Sequence, residues 1–344
     1  MKLKWGIIGC GGIADRRTLP GMMFAENAEP YAVMDANLEV AQRVKEKYGA
    51  KYAFATYEEL LALDEIEAVY IASPVFCHKE QALAAARAGK HILLEKPIGL
   101  DYAESKEIVC ACKTAGVKLG VGFMMRYHAY HEAMKKIIAD GVIGDVVSMR
   151  AQFTCWYPEI EGAWRQNKAL SGGGALVDLG VHCIDLLQYI SGMKAVSCTG
   201  VAKTQTFTYG VDDSAAVVMQ MENGAIAYVD CNFNMPDSVA KCPLEFYGTK
   251  GSMIAVGTLS QEEGGSVEIL ACPNAGGYDA MQERSTVEPV KIEVTFGNMY
   301  TKEIEAFSNA IINDVEPPVS GENTLLVHRI IDSVYRNGGG VFNP

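Results

Sequence analysis

Asp178 and His182 stand four residues apart in a stretch, residues 172–187, that is otherwise mostly apolar or glycine. After three glycines the apolar residues recur at helical spacing, which predicts a buried helix that opens on a flexible loop. Side chains at i and i+4 share one helical face, so a carboxylate and an imidazole would project together from this helix. The pair is either a mutually satisfied core pair or a general base with an orienting carboxylate.

A second group of residues is typical of a dinucleotide-binding loop. The apolar run Leu3–Ile8 predicts a strand, and it ends in the pattern G-x-G-x-x-A just before a predicted helix. Glycines let the backbone turn tightly and approach a pyrophosphate, and the small last residue keeps the helix close to the strand. The next predicted strand, 31–34, ends in an acid about 20 residues past the glycines, where such folds bind the ribose hydroxyls. The cofactor-binding residues predicted on this basis are Gly9, Gly11, Gly12, Ile13, Ala14 and Asp35.

Asp35 also bears on the identity of the cofactor. Its carboxylate would repel a 2′-phosphate, and the residues that follow, Ala36 and Asn37, supply no arginine to bind one. NAD is therefore favoured over NADP. Arginines elsewhere in the sequence leave NADP as the alternative; they are Arg16, Arg17 and Arg43.

Polar residues follow two further predicted strands, 68–72 and 91–94. Ligands of doubly wound sheets bind at the carboxyl ends of the strands. For this reason we expect the following residues at the cofactor crevice: Ser73, Pro74, His78, Glu95 and Lys96. Lys96 is placed there to hydrogen-bond a reacting hydroxyl or carbonyl. For His78 the sequence leaves two interpretations open, a crevice residue or a helix residue without a ligand.

The order of the predicted elements indicates two domains. Strands and helices alternate through residues 1–122, which predicts an α/β domain with a Rossmann-type, doubly wound parallel sheet. The pattern of residues 123–344 predicts an α+β domain built on a mostly antiparallel, open sheet. We expect this domain to bind substrate and to form oligomers. Its terminal helices are able to pack back on the first domain. The strands predicted in this second domain are 146–153, 197–205, 214–221, 225–233, 239–247 and 266–270. The helices predicted outside the 172–187 stretch include 38–48, 79–88, 101–115, 300–312 and 322–335.

Composition narrows the functional classes. The 344 residues carry a formal net charge of -12, which argues against a nucleic-acid partner and against an anionic membrane surface. The apolar runs are shorter than a membrane helix needs. The ten cysteines form no C-x-x-C pair, so we expect free thiols, no metal site and a cytoplasmic location.

Four separated motifs together resemble the Gfo/Idh/MocA family of nicotinamide-dependent oxidoreductases. These motifs are the residues 9–14 loop, Glu95-Lys96-Pro97, Trp164-Arg165 and the 172–185 stretch. The resemblance implies that Lys96, Asp178 and His182 form the catalytic group. It also implies a sugar or cyclic polyol such as an inositol as substrate, and a homodimer or homotetramer assembled through the open sheet face. Two departures from the family pattern are Val75, where many members have asparagine, and Asn37-Leu38, which lacks the basic residue of many NADP-preferring members.

Oxidation of a carbinol requires that the hydroxyl proton leaves as the hydride is transferred. His182 is the better base near neutral pH because an unperturbed imidazole has a pKa near 6.5. Asp178 would orient it, and Lys96 would polarise the substrate oxygen. The reverse assignment, Lys96 as the base and His182 as a positioning donor, stays open. The substrate-side candidates, for which ordinary packing is the alternative, are Arg126, Tyr127, Trp164 and Arg165.

We therefore expect an oxidoreductase that transfers a hydride between NAD(H) and a secondary hydroxyl or ketone of a sugar, sugar derivative or cyclic polyol. Two alternatives remain. A glycosidase or lyase would oxidise a sugar ring transiently and keep its NAD, and a sensor would bind the dinucleotide without catalysis. Net formation of NADH separates the first of these from a dehydrogenase.

Overall fold

The computed structural model describes residues 2–272, 278, 280–281 and 287–342. The chain divides into two compact units that are each discontinuous in sequence. The first unit comprises Met1–Met124, Ile160–Gly174 and Asn298–Asp332, and the second comprises Met125–Glu159, Ala175–Gly297 and Ser333–Pro344. The single domain boundary after residue 122 stays a prediction about folding domains, since the compact units are interleaved along the chain.

The first unit contains a parallel sheet of six strands within the described residues, in the order β3-β2-β1-β4-β5-β6. This order, which reverses direction between β1 and β4, confirms the predicted doubly wound sheet. The strands are β1 (Leu3–Ile8), β2 (Ala28–Met34), β3 (Tyr52–Phe54), β4 (Ala68–Ile71), β5 (His91–Glu95) and β6 (Leu119–Gly122). β4 is buried along its whole length, as a central strand covered on both faces should be.

The first unit also contains helices. They are α1 (Leu19–Met22), α2 (Leu38–Tyr48), α3 (Tyr57–Leu61), α4 (Val75–Arg87), α5 (Tyr102–Ala115), the short α7 (Lys168–Ser171) and α9 (Met299–Ile312). Local sequence sets their ends: Asn37 and Asp101 accept backbone N–H bonds at the starts of α2 and α5. Glycines in the left-handed conformation end both helices, Gly49 at φ 70° and Gly116 at φ 69°.

The second unit contains, among the described residues, a sheet of nine strands in the order β14-β13-β12-β11-β7-β10-β9-β8-β15. All strand pairs are antiparallel except β7 and β10, which confirms the mostly antiparallel sheet. The strands are β7 (Val146–Thr154), β8 (Ala195–Lys203), β9 (Ser214–Met221), β10 (Ile226–Asn232), β11 (Leu244–Gly248), β12 (Gly251–Val256), β13 (Ser266–Ala271), β14 (Val290–Lys291) and β15 (Gly339–Val341). The helices of this unit are α6 (Ala129–Ala139) and α8 (Val181–Ser191), and a further helix, α10, spans Gly321–Asn337.

Several predicted boundaries require correction. α4 begins at Val75 and not at residue 79, because Pro74 fixes the residue before the first helical turn. The strand expected at 239–247 begins only at Leu244, since a 3₁₀ turn occupies Asp237–Val239. Four strands were not predicted, namely β3, β12, β14 and β15.

One described stretch, Lys168–Ser191, has the length and mean hydropathy of a membrane span. However, 83% of its most apolar 18-residue window is buried inside the protein, as in a core helix.

Candidate active site

The glycine loop leaves its backbone open for a ligand. Gly9 has φ 90°, and a Cβ there would lie 2.6 Å from the backbone N of Ser73, so only glycine fits between β1 and the end of β4. Gly11 and Gly12 have open space where a Cβ would project, and both are exposed. The predicted loop residues therefore have the form that a dinucleotide pyrophosphate requires.

Asp35 is tied to this loop. One carboxylate oxygen accepts the N–H of Cys10 at 3.0 Å, and the other accepts the N–H of Asn37 at 3.0 Å. The negative charge is thereby fixed beside the glycines, at the end of β2. Arg43 is one of the arginines named above as able to bind a 2′-phosphate. Its side chain is exposed, and its Nη2 atom lies 3.8 Å from the Oδ2 atom of Asp15.

His78, for which the sequence left two interpretations open, lies on α4 and is buried. It is 1% exposed, and its ring nitrogens lie 3.0 Å from the carbonyl of Pro97 and 2.9 Å from that of Ser73. Burial lowers its pKa to about 4, so the ring is neutral at pH 7 and donates to only one of these carbonyls. His78 thus holds together the loops that follow β4 and β5, while Ser73 and Pro74 lie at the end of β4 and are partly exposed.

Glu95 and Lys96 lie at the carboxyl end of β5, as predicted. Glu95 accepts a 2.5 Å hydrogen bond from the hydroxyl of Tyr70 and a 3.3 Å bond from the backbone N–H of Lys96. Desolvation raises the pKa of Glu95, although the Tyr70 hydrogen bond and the Lys96 charge oppose that rise. Both oxygens of the Glu95 carboxylate therefore accept hydrogen bonds from the protein itself, one of them from the backbone of Lys96.

The helix that carries Asp178 and His182 is not a regular α-helix at its start. Residues Leu176–Gly180 form a π-helical segment, and α8 continues from Val181. Such π turns concentrate at functional sites. Gly180 permits close packing here, because a Cβ at this position would lie 3.1 Å from the Sγ of Cys231 on β10.

The structure places His182 on the buried first turn of α8, and Asp178 is the one partly exposed residue of the otherwise buried π segment Leu176–Gly180. His182 is 3% exposed, and its ring lies edge-on to that of Phe153, with centroids 6.2 Å apart. The start of the helix is fixed by Asp212, whose carboxylate accepts the N–H of Leu176 at 2.9 Å and the hydroxyl of Tyr335 at 2.7 Å. An acid at this end of a helix is stabilised by the helix dipole.

Sequence comparison identifies both parts of the chain. Residues 3–123 match the family described as oxidoreductase family, NAD-binding Rossmann fold, and residues 131–254 match the GFO/IDH/MocA C-terminal domain. A dTDP-3,4-didehydro-2,6-dideoxy-alpha-D-glucose 3-reductase of Actinomadura kijaniata is 35% identical over 99% of this chain and 97% of its own. The chain belongs to the Gfo/Idh/MocA family. It is therefore a nicotinamide-dependent oxidoreductase.

Two further similarities run the length of this Gfo/Idh/MocA chain. A 1,5-anhydro-D-fructose reductase of Ensifer adhaerens is 29% identical over 93% of this chain and 91% of its own. A solved levoglucosan dehydrogenase matches with a TM-score of 0.86 over all of both chains at 23% identity, which shows a shared fold.

Arg126 occupies a different environment from the one predicted for a substrate-side donor. Its guanidinium forms a bidentate pair with Asp185 on α8, with Nε–Oδ2 at 2.8 Å and Nη2–Oδ1 at 2.5 Å. Both side chains are buried, and the guanidinium also lies over the ring of Tyr189. Arg126 thus takes part in core packing through Asp185, and its assignment as a substrate-side residue stays a prediction.

The other substrate-side candidates are more accessible. Arg165 is exposed and stacks on the ring of Trp164, 4.4 Å from its centroid. Phe76, at the start of α4, contacts Trp164 edge-on at 6.2 Å. Tyr127 is partly exposed in a 3₁₀ turn that precedes α6. These residues keep their assignment as candidates for substrate contact.

The first unit thus brings together the glycine loop, Asp35, and the ends of β4 and β5. The second unit brings together Asp178, His182 and the buried ion pair. Sequence reasoning missed Tyr70 and Asp212. Tyr70 is hidden in an apolar strand, and Asp212 lies far along the chain from the helix that it caps, so neither gave a local signal.

Proposed function

We propose that this protein oxidises a secondary hydroxyl of a ring-form sugar, or reduces the corresponding ketone, with NAD(H). The observation that carries the proposal is His182, a buried histidine next to a π-helical turn bearing Asp178, in a chain whose first unit has a dinucleotide loop. The sugar reductases and dehydrogenases named above support a sugar over other alcohols. Levoglucosan dehydrogenase has been solved with NADH and levoglucosan bound.

We assign each residue a role in the oxidation of the hydroxyl. His182 removes the hydroxyl proton, and Asp178 orients the imidazole or stabilises its charge. Lys96 donates a hydrogen bond to the oxygen that becomes a carbonyl. Trp164, Arg165 and Tyr127 offer a flat aromatic face and donors that suit a hydroxylated ring. The glycine loop and Asp35 would hold NAD(H), which would supply the hydride acceptor or donor.

The experiment follows NADH absorbance while the purified protein and NAD are offered free sugars, anhydrosugars, inositols and aryl glycosides in turn. Growth of NADH with a free or anhydrosugar is the expected result, and inositols test the polyol alternative. Release of the aryl group without net NADH would overturn the proposal in favour of a glycosidase. Binding of NAD with no turnover on any of these would favour a sensor.

NAD is the proposed cofactor, and Asp35 provides its test. Because the Asp35 carboxylate is fixed beside the glycine loop, it opposes a 2′-phosphate through like charge. We expect Asp35→Ser to reduce the NAD-over-NADP ratio of kcat/KM by at least about tenfold, equivalent to about 1.4 kcal/mol. Glu58→Ser is the matched control, since Glu58 is an exposed acid of α3 in the same unit. An unchanged ratio in the Asp35 variant would refute this assignment.

A homodimer or homotetramer formed through the open sheet face is proposed as the assembled state. Large apolar side chains stand exposed on neighbouring strands of this sheet, and Tyr228 pairs in register with Val218 on β9. Exposed apolar patches of this kind mark association surfaces. We expect sedimentation analysis to give a dimer or tetramer that Tyr228→Arg dissociates, and a monomeric wild type would contradict this.

A cytoplasmic location is proposed from the ten free cysteines.

A further inference from the structure

A buried acid on α9 has no role in the proposed reaction. Glu303 is 2% exposed, and neither oxygen of its carboxyl group has a hydrogen-bond partner among the described residues. The hydroxyl of Tyr300, one turn earlier, is in the same condition. An ionised carboxylate without partners is among the most unfavourable groups to bury, so Glu303 should carry a proton at neutral pH.

Sheet register explains which residues Glu303 meets. Tyr70, Leu93 and Gly120 pair across β4, β5 and β6, and Glu95 pairs with Gly122 two residues further along the same face. This face lies under α9, because a Cβ on Gly120 would come within 2.6 Å of the Phe307 ring. Phe307 is four residues after Glu303 and so shares its side of the helix.

The glycine at the end of β6 makes room for a carboxyl group on this face. A Cβ on Gly122 would lie 3.0 Å from the Oε2 atom of Glu95. The Glu95 carboxylate raises the pKa of Glu303, in addition to the larger effect of burial. The other ionisable groups that interact electrostatically with the two acids are Tyr70 on β4 and Tyr300 on α9. Lys96 and Arg165 lower the pKa of Glu95, and Arg16 and Arg17 lower that of Tyr300.

Hydrogen bonds connect Glu95 to two other elements. Its Oε1 atom accepts the Tyr70 hydroxyl at 2.5 Å, and Tyr70 in turn lies 2.9 Å from the hydroxyl of Thr18. Thr18 ends the π-helical segment Ala14–Thr18, which follows the glycine loop. The Oε2 atom accepts the backbone N–H of Lys96. A continuous chain of hydrogen bonds thus runs from the glycine-loop helix to the backbone of the lysine.

We propose that Glu303 stays protonated under the sheet face that also carries Glu95, and that Glu95, anchored through Tyr70 to Thr18, positions Lys96. The inference rests on the proposed function for the part played by Lys96, but the protonation of Glu303 does not. Glu95 and Tyr70 are positioning residues in this arrangement. They act through the turn that carries the lysine and touch no reacting atom.

The protonation of Glu303 is tested by a measurement that does not depend on catalytic turnover. We expect the wild type at pH 7 to show the infrared carbonyl band of a protonated carboxylic acid that disappears in the isosteric variant Glu303→Gln. A raised pKa in the folded state means that stability is fully present below the ordinary pKa of glutamate and falls as pH rises towards the folded pKa. The folding equilibrium constant of the wild type should therefore fall about tenfold per pH unit relative to Glu303→Gln over that range. A missing band, or parallel pH profiles of stability, would overturn the protonation of Glu303.

The positioning role is tested by kinetics. Tyr70→Phe removes the hydroxyl bonded to Glu95, and we expect kcat to fall by about tenfold to a hundredfold while KM for NAD changes little. Thr18→Val should lower kcat in the same direction, whereas the conservative Thr18→Ser keeps the hydroxyl and should restore it. Equal activity of the valine and serine variants would overturn the link to Thr18. A protein that shows the infrared band but oxidises no sugar would contradict the proposed function without contradicting the protonation of Glu303.

Discussion

Replacement of His182 by alanine should lower kcat by about a hundredfold to ten-thousandfold, the contribution of a well-placed general base. The reason is that His182 is the imidazole on the helix that also carries Asp178, and alanine leaves the hydroxyl proton without an acceptor. Binding of NAD should be retained, because the glycine loop and Asp35 belong to the first unit. Steady-state turnover and NAD titration by fluorescence measure the two effects separately.

The matched control is Cys183→Ala, the next residue on α8, which is also fully buried. It removes a core side chain from the same turn, so it reports how far local packing alone affects turnover. If the His182 variant kept most of its kcat with NAD bound, or lost no more than the Cys183 variant, His182 would not be the base.

The pH profile distinguishes the two bases that the sequence left open. With His182 as the base, wild-type kcat/KM should fall on the acidic side as an imidazole gains its proton, and His182→Ala should lose this limb. With Lys96 as the base, the same limb should persist in the histidine variant and disappear in Lys96→Met. The two variants therefore give opposite results on one measurement.

Much of the first unit could be predicted from sequence because its signals are local. The glycine pattern directly follows a strand, Asp35 directly follows the next, and Lys96 follows β5, so chain order alone places them at one sheet edge. The structure confirms the doubly wound sheet. The identity of the catalytic residues stays a prediction, since it depends on chemistry that the fold does not test.

The parts that could not be predicted depend on pairing between distant residues. Glu303 is an acid in an amphipathic helix, and nothing near it in sequence shows that it faces a buried sheet surface. The π-helical start at Leu176–Gly180 was read as a regular helix because its apolar spacing is compatible with both. His78 and Arg126 were ambiguous for the same reason, since their partners become visible only in the folded chain.

Loss of the buried ion pair between Arg126 and Asp185 is expected to be the largest effect on stability. Asp185 is 1% exposed and Arg126 is 8% exposed, so removal of either partner leaves the other as an unpaired charge in the core. We expect Asp185→Asn and Arg126→Met each to reduce the free energy of unfolding by about 3–5 kcal/mol. Urea denaturation monitored by circular dichroism measures this change.

The double variant separates a structural pair from a substrate contact. With both charges removed, no unpaired charge is left in the core, so Arg126→Met combined with Asp185→Asn should be more stable than the sum of the single losses predicts. Ser191→Ala, an uncharged change at the far end of α8, serves as the control. If Arg126 contacted substrate directly, its methionine variant would raise KM for the sugar without a comparable loss of stability. Strong coupling in the cycle would instead show that Arg126 stabilises the protein through Asp185 of α8.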